Sequence, residues 1–75
     1  MNPIRIDSEI LGGTPCFAGT RVPVRTLFDH LIAGDSMQLF LEDFPTVSRE
    51  MAVAALEMGL SALEARAEVI EPAHR

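Results

Sequence analysis

From Val24 onward, apolar and polar residues alternate at helical spacing. Val24, Leu27, Phe28, Leu31 and Ile32 fall on one side of a helix, with Arg25, Asp29 and His30 on the other. Pro23 suits the first helical position, where a missing N–H costs little. Gly34 stands where a left-handed cap would end the helix. Ser36 can cap a second helix, whose apolar residues are Met37, Leu39, Phe40, Leu41 and Phe44, with Glu42 and Asp43 outward. Pro45 closes it, because the residue before a proline avoids helical geometry. Ser48 can cap a third helix, predicted from Arg49 to about Ile70 and limited by Pro72. A short helix, a tight connection and a longer helix give a helix-turn-helix outline.

The first 22 residues follow another rhythm. Ile4-Arg5-Ile6-Asp7 alternates as a strand does. Gly12-Gly13 marks a turn, Cys16-Phe17 suits a second short strand, Gly19 breaks it, and Arg21-Val22 can resume extended structure before Pro23. A ribbon this small is marginal alone, so it is expected to pack on the helices or to pair with another chain. The prediction is a mainly α, single-domain chain: a β arm over 1–22, a three-helix bundle over 23–70 and a tail over 71–75.

The third helix carries more apolar surface than one core needs. Ala52, Leu56, Gly59, Leu60, Leu63, Ala67 and Ile70 form one stripe, and Met51, Ala55, Met58, Ala62, Ala65 and Val69 form a second beside it. Together they exceed the single stripe of an ordinary surface helix. The first stripe is expected to close the core. The second is expected to face a partner or a second copy, since exposed apolar patches mark interaction sites. The alternative is a helix buried on both sides within one domain.

Composition sharpens this picture. A chain of 75 residues buries only about 60% of the surface it exposes when unfolded, and domains this small often need a staple, a metal or a partner. Cys16 is the single cysteine, and it cannot form an internal disulfide. His30 and His74 lack the close spacing of metal ligands, and no cofactor motif is present. A partner or a second copy is the remaining source of burial. The net charge is −5 and is unevenly spread. Residues 1–34 balance Arg5, Arg21 and Arg25 against Asp7, Glu9 and Asp29, whereas residues 35–75 set Arg49, Arg66 and Arg75 against eight carboxylates. An acidic second half repels phosphates and attracts basic protein surfaces. The polar start and the lack of any apolar run approaching the ~20 residues of a membrane span make the cytoplasm the expected location, with no membrane association.

No catalytic constellation emerges, so a binding module rather than an enzyme is expected. Cys16, between Pro15 and Phe17, reads as a packed small hydrophobe. His30 is expected to face solvent near the end of the first helix, where positive charge is favoured. The glycines lack the lysine that a phosphate loop requires. Arg21, Arg25 and Arg49 are the candidate DNA contacts, Arg49 standing where a recognition helix enters the major groove. The competing role for Arg21 is hydrogen bonding to the arm's carbonyls, and for Arg49 a plain surface charge.

The run Ile10-Leu11-Gly12-Gly13-Thr14-Pro15, then Gly19-Thr20-Arg21-Val22-Pro23-Val24, Gly34-Asp35-Ser36, Phe44-Pro45 and Val47-Ser48-Arg49-Glu50 resembles a widespread prokaryotic family. It is similar to a domain of formerly unknown function grouped with VapB-type antitoxins, over about Ile4 to Leu60. The resemblance implies a homeodomain-like three-helix fold with an N-terminal β arm, commonly dimeric. It also implies a neighbouring gene for a PIN-like ribonuclease toxin, which the antitoxin neutralises, and repression of its own operon. It transfers no catalytic residues. The alternatives are a stand-alone DNA-binding repressor and a structural homodimerisation module.

Overall fold

A computed structural model describes residues 2–67. Its elements are β1 (Ile4–Arg5), a 3-10 turn (Leu11–Gly13), β2 (Cys16–Phe17), α1 (Val24–Ile32), α2 (Met37–Asp43) and α3 (Arg49–Ala65). The described residues form a small three-helix domain with a two-stranded antiparallel element at its N-terminal end, as the sequence predicts.

β1 and β2 pair with Ile4 opposite Phe17 and Arg5 opposite Cys16. The ribbon is only two residues long on each side, and its loops carry much of its order. The Asp7 carboxylate accepts the Glu9 N–H at 2.9 Å. After β2 the chain reverses through Gly19 at φ +76°, and the Phe17 N–H donates to the Val22 carbonyl at 3.0 Å. Pro23 then bridges to Cys16, so the extended stretch before α1 lies against β2. The arm docks within the chain: Phe17 is fully buried, its ring centroid 6.1 Å from that of Phe40 on α2.

Each helix boundary has a local cause. Pro23 has extended geometry and stands just before α1, one place earlier than the first-turn position expected for it. At the other end, the Gly34 N–H donates to Leu31 and the Asp35 N–H to His30, with Gly34 at φ +93°. This is the double bond of a Schellman cap, in a conformation that favours glycine. The Ser36 hydroxyl accepts the Leu39 N–H at 3.0 Å, and the Ser48 hydroxyl accepts the Met51 N–H at 3.1 Å. These two caps start α2 and α3 where the sequence predicts.

α3 ends at Ala65, short of the predicted Ile70. Arg66 and Ala67 form a tightened turn in which the Ala67 N–H reaches the Glu64 carbonyl. The last turn carries Glu64 and no cation, which opposes the helix dipole at that end.

The core is Phe17, Leu27, Phe40, Val47, Ala52 and Ala55, with Ile4, Val22, Leu31, Met51, Phe44 and Leu56 packed around it. Burial of a phenylalanine or leucine side chain contributes about 1.5–3 kcal/mol, so Phe17, Leu27 and Phe40 dominate this small interior. Cys16 is also buried, its thiol donating to the Thr14 carbonyl at 3.4 Å, in line with the packed role expected for it.

Two expectations require correction. Ala55 lies in the core at 2% exposure and Met51 packs against it, so neither belongs to a free second stripe. The core face of α3 is centred between the two predicted stripes and draws from both. His30 does not simply face solvent: its ring lies edge-on to Phe40 (centroids 5.6 Å apart) and Phe44 (5.8 Å). Its Nδ1 is 3.1 Å from an Asp35 carboxylate oxygen, a contact short enough for an ion pair but not aligned as a hydrogen bond. The ring thus packs among the phenylalanines with its Nδ1 buried.

Candidate protein-docking surface

Among the described residues no enclosed pocket opens, and no group of three His, Cys, Asp or Glu side chains gathers as metal ligands do. No described helix is long and apolar enough to cross a membrane. The features able to recognise another molecule lie on the surface.

One of these is the C-terminal half of α3. Met58 is 45% exposed, Leu60 56% and Leu63 63%, and Ala62 and Ala65 are exposed beside them. Every residue from Leu60 to Ala67 is exposed, including those on the side that is buried one turn earlier. Gly59 still lies against the domain body: a Cβ there would be 3.4 Å from the Phe28 ring of α1. Beyond it, α3 overhangs the domain. Of the residues predicted to form an interface, Met58, Ala62 and Ala65 are therefore on the surface, Met51 and Ala55 are taken up by the core, and Val69 lies outside the described residues.

Sequence periodicity misplaced Leu60 and Leu63, assigning them to the core because they continue the line of Ala52 and Leu56. The line does continue, but the elements that would cover it stop. Glu57 and Glu64 stand exposed next to these leucines, so the overhang is apolar and acidic together.

The three candidate DNA contacts are all exposed and stand on three elements. Arg21 is in the segment between β2 and α1, Arg25 in the first turn of α1, and Arg49 in the first turn of α3. Arg25 Nε lies 3.5 Å from Asp29 on the same helix face. That pair is solvated and of little energetic weight, but it offsets some of the charge a phosphate would meet. The arm hydrogen bonds expected as the competing role of Arg21 are made instead by Thr20, whose hydroxyl donates to Phe17 and accepts from Val22.

A protein-family model described as "Protein of unknown function (DUF433)" matches residues 4–57. The chain belongs to the DUF433 family. A DUF433 member from Anabaena variabilis, known from a crystal structure, superposes with a TM-score of 0.71 at 30% identity, over 93% of this chain and 65% of its own. The uncharacterised protein y4eO of Sinorhizobium fredii is 45% identical over 42 residues, which make up 56% of this chain and 19% of that protein. The chain thus spans about a fifth of y4eO and just under two thirds of the Anabaena protein. The DUF433 match takes in the arm, α1, α2 and the buried half of α3, and it stops at Glu57. The exposed overhang follows it.

Proposed function

We propose that this DUF433 chain is an antitoxin-type binding module that docks on a PIN-like ribonuclease and neutralises it. The observation that carries this reading is the overhang of α3, where Met58, Leu60 and Leu63 stand in solvent beside Glu57 and Glu64. An exposed apolar strip favours a protein partner. An acidic border favours a basic one, and a nuclease surface that holds RNA phosphates is basic. The sequence resemblance to VapB-type antitoxins points the same way. The test is co-expression with the product of the adjacent gene. A complex on size exclusion together with relief of growth arrest is expected, and the absence of both overturns the proposal.

A second reading, operator binding, is favoured by the exposure of Arg21, Arg25 and Arg49 on a domain with helix-turn-helix order. A mobility-shift assay with the chain's own promoter tests it. Alanine at any of the three arginines should weaken binding and flatten its salt dependence. Affinity no better than for random DNA rejects it.

A further inference from the structure

We infer that α3 carries a seat for one further helix, an amphipathic and basic one supplied by a partner protein. This deepens the protein-binding reading and rests on it, adding the chemistry of what is bound. Val53, Leu56, Leu60 and Leu63 are spaced three, four and three residues apart, the a/d repeat of a helix that packs lengthwise on another helix. Leu56 joins the core, while Val53 is 38% exposed and Leu60 and Leu63 more so. The line therefore begins at the edge of the folded domain and runs outward along the overhang.

The two borders of this line differ. On one side are Ala52, buried, and Gly59, against which Phe28 of α1 rests, so that border is the domain's own body. On the other side Glu50, Glu57 and Glu64 recur every seven residues. All three are exposed, and none of them takes part in the close charge contacts among the described residues. A helix laid along the line meets hydrocarbon beneath it and a column of carboxylates along one edge. Charge complementarity then calls for arginine or lysine at the facing positions of the occupant.

The same column disfavours a second copy of this chain. Antiparallel pairing of two α3 helices would set Glu57 and Glu64 against their own counterparts, and like charges at that spacing repel. Parallel pairing would turn each glutamate edge toward Ala52 and Gly59 of the other copy, a side already occupied by that copy's body.

The test is fluorescence anisotropy of three labelled synthetic peptides against the full chain. The first has leucine at its a and d positions and arginine at its flanking positions. The second has the same seam with glutamate flanks. The third has the composition of the first, shuffled to destroy the repeat. The first should bind at least about tenfold tighter than either control, and added salt should weaken it. Paired substitution Glu57→Lys and Glu64→Lys should shift the preference to the glutamate-flanked peptide. Equal binding of all three peptides, no binding by any, or a preference that survives the charge reversal overturns the seat. So does a wild-type dimer in ultracentrifugation that dissociates on Leu60→Lys, which would assign the line to a second copy. If the peptides fail while the chain still co-elutes with the neighbouring gene product, the seat falls and the protein-binding reading stands. If the first peptide binds as expected and no such complex forms, the seat stands and the antitoxin assignment falls.

Discussion

The two halves of α3 carry similar apolar sequence and meet different surroundings. From Arg49 to Leu56 the helix is roofed by Phe17, Leu27, Phe40 and Val47, and its small residues Ala52 and Ala55 let those side chains approach closely. From Glu57 to Ala65 the body of the domain comes close at Gly59, through Phe28, and the leucines beyond it are exposed. The first half uses its apolar residues to fold the chain. The second half leaves its leucines exposed, and beyond Glu57 it lies past the residues matched by the DUF433 family model. Hydrophobic side chains exposed where they do not serve the fold are what a binding surface requires.

Substitutions should separate the halves by their effect on stability. The largest loss is expected from Phe40→Ala. This side chain is fully buried and touches Phe17, His30 and Phe44, and removing it should cost about 3–5 kcal/mol, read by urea denaturation. In a domain this small that is most of the stability, and loss of helical circular dichroism at room temperature is the expected outcome. Next is Ala55→Leu, which adds volume where the roof already closes. A loss of about 1–3 kcal/mol is expected, whereas a neutral result would place Ala55 on a free surface and erase the distinction between the halves. Ser48→Ala removes the hydroxyl that accepts the Met51 N–H and should cost about 1 kcal/mol, with Ser48→Asp restoring it. The smallest effect is expected from Leu60→Ala and Leu63→Ala, each within about 0.5 kcal/mol of wild type because neither side chain is covered.

Much of the fold was legible because its boundaries are chemical. Gly34, Ser36, Pro45 and Ser48 each act through a neighbouring backbone bond or dihedral, and such local effects can be read from the order of residues. The short strands were legible for a similar reason, since Ile4-Arg5-Ile6-Asp7 alternates and Cys16-Phe17 lies between Pro15 and Gly19. What periodicity could not reveal is which arc of α3 is covered and for how long. Angles around a helix follow from spacing, but the centre and length of the buried arc depend on how far α1, α2 and the arm extend over it. Ala55 consequently moved to the core, and Leu60 and Leu63 moved out of it. His30 was misread because its position beside the Leu27 face matters only once Phe40 and Phe44 arrive from α2. Of the candidate surface, the acidic and apolar composition of α3 was visible in sequence. The seam through Val53, Leu56, Leu60 and Leu63 emerged only with the knowledge of which of its members are bare.

The central claim is that the overhang binds a protein and does not support the fold. The most direct test introduces Leu60→Lys and Leu63→Lys together and compares two readings on one sample: the melting temperature of the chain, and its co-elution with the product of the adjacent gene. The account predicts an unchanged melting temperature and a lost complex. A complex that persists with the variant, or a chain that unfolds, would contradict it.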